Sequence, residues 1–175
     1  MKHVVGVAEV AISADPGDSL ITHALGSCLG IAAYDPKARI GGLLHVMMPL
    51  SKTNPEKAED NPYFFVDTGV PHFLDQLFER GAAKQRLTVS VAGGASVNRT
   101  DTHRFAIGKR NWVVFKKLLW KNGILIAAQD VGGEKARTMR LEIASGRVEL
   151  SSGPQRWELE PGQTDPQEGG ARNVA

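Results

Sequence analysis

Apolar positions follow two rhythms along this chain, one suited to strands and one to helices. Residues 4–12 are rich in small and β-branched side chains and read as a strand. Asp15-Pro16-Gly17-Asp18 is turn chemistry, and residues 20–25 read as a short strand. Gly26-Ser27 then punctuates the chain. Residues 28–34 follow as a nearly continuous apolar run, the pattern of a strand buried on both faces. Asp35-Pro36 turns the chain, and residues 40–48 return as a strand carrying His45. Residues 51–62 are polar and read as a mobile loop. Within 63–80, Val66, Val70, Phe73, Leu74, Leu77 and Phe78 recur at helical spacing, and Gly81 is a stop signal. Residues 86–92 read as a strand entering Gly93-Gly94-Ala95. Residues 105–122 form a second helical pattern, with Trp112, Phe115, Leu118 and Leu119 inward. Residues 124–131 read as a strand ending at Gly132-Gly133. Residues 138–143 and 147–150 read as a hairpin about Ser145-Gly146.

The last stretch changes character. Residues 151–175 hold Pro154, Pro161, Pro166 and four glycines, and read as a flexible tail with net negative charge. Trp157 and Leu159 are the side chains able to dock part of it on the body. The expected organisation is one domain over 1–150 and a tail over 151–175.

Composition narrows the function classes. The chain has 175 residues with 42% hydrophobic and 23% charged, enough for a real core. A formal charge of +2 gives no case for nucleic acid. No apolar stretch nears the ~20 residues of a spanning helix, and Glu9 interrupts the N-terminal run, so a cytoplasmic protein without membrane insertion is expected. One cysteine, Cys28, excludes an internal disulfide and a Cys-rich zinc site. Five histidines leave a His/carboxylate metal site formally open, but no two of them stand at a metal-ligand spacing with a carboxylate, and no metal or organic cofactor is expected.

Candidate chemistry concentrates at Gly26-Ser27-Cys28-Leu29-Gly30. A thiol directly after a small-residue turn can present sulfur and backbone N–H groups to one incoming carbonyl, the needs of an acyl-transfer site. The same residue also fits a small buried hydrophobe. His45 is a polar side chain in an apolar strand. If 28–34 and 40–48 pair as a hairpin, Cys28 and His45 meet at its open end. A Cys–His pair there is expected to depress the thiol pKa and supply a general base. The alternative is a core histidine bonded to a backbone carbonyl. A third group must orient the imidazole. Thr22 and Ser27 are the nearby hydroxyls, and Asp35 lies at the far end of the hairpin. His3, His23, His72 and His103 read as surface or packing residues. Gly93-Gly94-Ala95 and Asp130-Val131-Gly132-Gly133 complete no phosphate-binding motif and read as tight turns. Lys109, Arg110, Lys116, Lys117 and Lys121 read as a solvated helix face.

With these residues in view, the sequence resembles the CheD family of bacterial chemoreceptor glutamine deamidases. Thr22, Leu25-Gly26-Ser27-Cys28, Tyr34-Asp35 and Gly42-Leu43-Leu44-His45-Val46-Met47-Met48-Pro49 carry the resemblance. Gly93-Gly94-Ala95, Ile107-Gly108-Lys109-Arg110-Asn111 and Asp130-Val131-Gly132-Gly133 extend it, over roughly residues 4–150. It implies an α/β layered sandwich with mixed sheets, similar to Cys–His toxin deamidases. It implies Cys28 as nucleophile, His45 as general base and Thr22 as third member. The implied reaction converts receptor glutamine side chains to glutamate with release of ammonia. The implied partners are a chemoreceptor cytoplasmic domain and a CheC-type phosphatase. The alternative is a catalytically silent binding module regulating that phosphatase. Ala95-Ser96-Val97 and Glu134-Lys135-Ala136-Arg137 depart from the family pattern.

Overall fold

A computed structural model describes residues 1–96 and 102–162, with 102–105 followed in the backbone alone. Its described strands form two mixed five-stranded sheets. The first orders β1 (Lys2–Val4), β3 (Ser19–Leu25), β8 (Arg137–Glu142), β9 (Val148–Ser152) and β10 (Gln155–Glu158). The second orders β2 (Glu9–Ser13), β5 (Ile40–Val46), β4 (Leu29–Asp35), β6 (Thr88–Gly93) and β7 (Ile126–Val131). Three helices are described: α1 (Pro55–Asp60), α2 (Val66–Glu79) and α3 (Thr102–Lys121). The layered α/β sandwich with mixed sheets is therefore what the chain adopts.

Strand alternation builds two cores. Leu29, Ile31 and Ala33 of β4, with Leu44 and Val46 of β5, face Phe73, Leu77, Phe115 and Leu119 of α2 and α3. Ala32 and Tyr34 of β4, with Leu43 of β5, face Leu20, Leu25, Met139 and Leu141 of the first sheet. The second sheet is thus buried on both faces, which explains the unbroken apolar run in β4. Asp35 anchors the far end of the β4–β5 hairpin. It accepts from the Lys37, Ala38 and Ala83 N–H groups and pairs with Arg86 (2.8 Å). Burial works against ionising this carboxylate, but the Arg86 guanidinium and those N–H groups outweigh it and hold its pKa far below the usual range.

Four expectations are corrected. Residues 4–12 are not one strand, because the chain leaves the first sheet after Val4 and enters the second at Glu9. Ala8 makes the break at φ 58°. An alanine in that conformation gives no sequence signal, unlike a glycine. Residues 51–62 are an ordered run of helical turns. Asn54 accepts from the Lys57 N–H (3.1 Å) and Asn61 from the Tyr63 N–H (3.0 Å). Each precedes a proline, so Asn-Pro here is a cap followed by a first helical residue. Helix α2 correspondingly starts at Val66 instead of 63. Finally, the body extends past residue 150. β10 pairs antiparallel with β9, Leu159 is buried, and the Trp157 Nε1 donates to Asp130 (2.9 Å). The remainder of the expected tail, 163–175, lies outside the described residues.

Candidate active site

Hairpin register decides which side chains can meet. β4 and β5 pair with Leu29 opposite Val46, Gly30 opposite His45 and Asp35 opposite Ile40. Cys28 sits one residue before β4, at the hairpin's open end, and two residues from Gly30. Cys28, Gly30 and His45 therefore share the face toward the first sheet. A Cβ on Gly30 would come within 2.6 Å of Leu25 Cδ1 and 3.1 Å of Met139 Sδ, which marks how closely the first sheet approaches. The register thus places Cys28 and His45 at the same end of the hairpin.

Thr22 reaches the same place from the other sheet. It is fully buried on β3 and paired with Met139. Its Oγ1 lies 2.7 Å from the Val5 carbonyl oxygen and 2.7 Å from His45 Nδ1. A hydroxyl has one proton, and a carbonyl can only accept it. Thr22 thus donates to Val5 and accepts from His45 Nδ1–H. That fixes the neutral tautomer and leaves Nε2 with a bare lone pair. His45 is 1% exposed, and Nε2 has no partner among the described residues. An unsatisfied buried acceptor is costly in a structural histidine and useful in a general base. Ser27, the other hydroxyl candidate, makes no such contact with His45. Glu9 stands opposite His45 in the β2–β5 register, but its carboxylate accepts from the Gly6 N–H (2.8 Å).

The electrostatics differ from expectation. Burial pushes the Cys28 thiol up from 9.0 to about 11, opposed by a smaller lowering from its own backbone N–H. Burial pushes His45 down from 6.5 to about 4. The expected depressed thiol is therefore corrected: near neutral pH both groups rest uncharged. The physical reason is burial, which disfavours both charged forms, and the Thr22 hydroxyl beside the imidazole supplies no negative charge to offset it.

The turn before Cys28 is braced through its carbonyls. Gly26 O accepts from the Ala95 N–H (2.8 Å), and Cys28 O from the Gly94 N–H (2.8 Å). Ser27 O and Met47 O both accept from Asn111 Nδ2, each at 3.0 Å. Gly93 adopts φ +113°, and a Cβ there would overlap the Cys28 carbonyl oxygen. Gly108 lets α3 approach, since a Cβ there would lie 2.8 Å from the Gly94 backbone. The Gly94 and Ala95 N–H groups are thus engaged in bracing. Asp130-Val131-Gly132-Gly133 braces in turn: the Gly132 N–H donates to Gly93 O (2.9 Å), and Arg137 Nη2 donates to Gly132 O (2.8 Å). Both motifs are tight turns, as read from the sequence.

A family model described as CheD chemotactic sensory transduction matches residues 47–152, more than half of the chain. The chain belongs to the CheD family. It is 48% identical over 167 residues to the probable chemoreceptor glutamine deamidase CheD of Solibacter usitatus (strain Ellin6076), covering 95% of this chain and 97% of that protein. It is 44% identical over 155 residues to the probable chemoreceptor glutamine deamidase CheD 1 of Syntrophus aciditrophicus (strain SB), covering 87% and 96%. It is 42% identical over 151 residues to the corresponding CheD 2 of Anaeromyxobacter dehalogenans (strain 2CP-C), covering 86% and 94%.

The other sequence candidates in this CheD-family chain stand apart from Thr22, Cys28 and His45. His3 lies against Asp18 (2.9 Å), His23 against Thr138 (3.3 Å), and His72 caps onto Thr68 O (2.8 Å). The His103 side chain lies outside the described residues. Lys109, Arg110, Lys116, Lys117 and Lys121 are exposed on α3. Among the described residues no group of three or more His, Cys, Asp or Glu is arranged to hold a metal, and no helix is long and apolar enough to cross a membrane. Sequence reasoning missed the roles of Asn111 and Gly93. Its only signal for either was their presence in short polar or glycine-rich motifs.

Proposed function

We propose that this chain is a chemoreceptor glutamine deamidase, a protein-glutamine glutaminase acting in chemotaxis on the cytoplasmic domain of a receptor. The observation that carries the reading is the oriented imidazole: Thr22 holds His45 Nδ1, so Nε2 is bare on the face that Cys28 shares. In the proposed cycle Cys28 attacks the carboxamide carbon of a substrate glutamine while His45 Nε2 takes the thiol proton. The carbonyl oxygen becomes an oxyanion beside the Ser27 and Cys28 N–H groups. His45 then gives its proton to the departing nitrogen, ammonia leaves, and a thioester remains. Water attacks the thioester as Nε2 takes a proton from it, and Cys28 departs with that proton restored. The products are glutamate and ammonia, and the receptor gains one negative charge per event.

The names of the relatives support the activity and the receptor as substrate. A CheC-type phosphatase as a second partner, and a cytoplasmic location, belong to the same proposal. A silent binding module would have no use for a buried, partnerless Nε2, so that alternative is not favoured. The test is mass spectrometry of receptor cytoplasmic fragments incubated with the protein. The expected result is the amide-to-acid mass change at specific glutamines, absent with Cys28→Ala. A folded Cys28→Ala protein that still converts glutamine to glutamate would sink the mechanism.

A further inference from the structure

Asn111 is fully buried on α3, one turn beyond Gly108. Its side-chain orientation is unambiguous, because both neighbours are carbonyl oxygens and only the NH2 end can bond them. One is Ser27 O, on the peptide unit that enters Cys28. The other is Met47 O, two residues past His45. Its Oδ1 is buried without a partner among the described residues. Such an orphan acceptor is unfavourable, and an apolar residue would remove it while stranding two buried carbonyls instead.

Peptide planarity gives these bonds a consequence at the sulfur. In a trans unit the C=O and N–H point in opposite directions, and among the described residues there is no cis bond. Holding Ser27 O toward α3 therefore turns the Cys28 N–H away from α3, toward its own thiol, which that N–H is close enough to influence. The Ala95 N–H does the same one unit earlier. It holds Gly26 O, which turns the Ser27 N–H the opposite way. Neither Ser27 nor Cys28 donates its N–H to a backbone carbonyl among the described residues. Two adjacent N–H groups are thus left free beside the nucleophile, each aimed by a bond to the carbonyl of its own peptide unit.

We infer that Asn111 is a positioning residue for the reaction, holding the Ser27 carbonyl so that the Cys28 N–H is fixed as an oxyanion donor. The inference rests on the acyl-transfer reading above. Its target is the tetrahedral oxyanion, so it acts on carbonyl addition and not on simple alkylation of the thiol. That difference gives the test. Asn111→Ala and Asn111→Ser are compared with wild type in two assays: deamidation of a receptor fragment, and alkylation of Cys28 by iodoacetamide at about pH 9. Alkylation occurs at a saturated carbon and forms no oxyanion.

The expected result for Asn111→Ala is a fall in kcat on the order of 100-fold with KM nearly unchanged. Alkylation should stay within about twofold of wild type. Asn111→Ser keeps one shorter donor and should fall between the two. It also serves if the alanine variant does not fold. Deamidation within about threefold of wild type in a folded variant would overturn the inference while leaving the function intact. Alkylation falling in step with deamidation would also overturn it, since Asn111 would then hold only the Cys28–His45 geometry. A wild-type protein that never converts receptor glutamine overturns the acyl-transfer reading, and the inference falls with it.

Discussion

The resting charge state of the Cys28–His45 pair makes a testable departure from the usual thiolate–imidazolium picture. With the thiol at about 11 and the imidazole at about 4, proton transfer between them runs uphill by about seven pH units. That gap is on the order of 10 kcal/mol. At a separation of about 4 Å, mutual attraction of the two charges would return about 4 kcal/mol at the effective dielectric of a protein site. The ion pair is then a minor species, on the order of one molecule in ten thousand. A cost near 5 kcal/mol fits inside the ~17 kcal/mol barrier of a reaction turning over once per second, so catalysis from a neutral pair is affordable. The assay is the rate of Cys28 alkylation by iodoacetamide across about pH 5 to 10. The thiol's pKa is raised, so the thiolate fraction should climb tenfold per pH unit over the whole range with no plateau. His45→Ala should leave that slope unchanged. A rate plateau below about pH 7 that disappears in His45→Ala would refute the neutral pair, because only a preformed ion pair reacts that way.

Three further outcomes follow from the same contacts. Thr22→Val should lower kcat by roughly 10- to 100-fold, since it frees the imidazole to take the wrong tautomer, whereas Thr22→Ser should restore most of it; steady-state kinetics on a receptor fragment decides. Folding stability should fall as pH drops from 6.5 toward 4, because the unfolded chain takes up the His45 proton first, with a loss of about 3 kcal/mol that urea melts of wild type and His45→Gln can measure. Gly93→Ala should cost several kcal/mol, since it meets both a left-handed φ and the Cys28 carbonyl, and a melt that stays within about a degree of wild type would exclude that clash.

Much of the site was legible because it is local. The Asp35-Pro36 turn and two flanking apolar runs were enough to fold 28–34 against 40–48, and the pairing of Gly30 with His45 puts the thiol and imidazole at one end. Thr22 was only one of two hydroxyl candidates until the resemblance singled it out. It belongs to the other sheet, and no local pattern reports how two sheets face each other. Asn111 was visible as a letter in a basic helix, but its two carbonyl partners lie 84 and 64 residues away in the chain. The same limit hid β10. Proline and glycine at 153–154 read as a tail, although they form the turn that lets Gln155–Glu158 pair back onto β9. Conversely, the polar stretch 51–62 reads as a mobile loop, although an asparagine before each proline makes Asn54-Pro55 and Asn61-Pro62 helix starts.

The role proposed for Thr22 as third member fits where it sits. Position 22 is fully buried between the sheets, with Leu20 and Met139 as neighbours in the same layer. A carboxylate there would have to leave water without a cation opposite it, at a cost of several kcal/mol. It would also draw a proton onto His45 and make the resting imidazole an acid. A threonine avoids both consequences. Its one proton is committed to Val5 O, so its oxygen can only accept, and the imidazole is oriented without being charged. In the proposed cycle His45 Nε2 is then free before substrate arrives, and the thiol gives up its proton only when a carbonyl is present to attack. On that proposal, separation of charge is confined to the step in which the proposed oxyanion donors beside Cys28 can share it, which ties the uncharged Thr22–His45 arrangement in the intersheet layer to the peptide units that Asn111 and Ala95 hold in place.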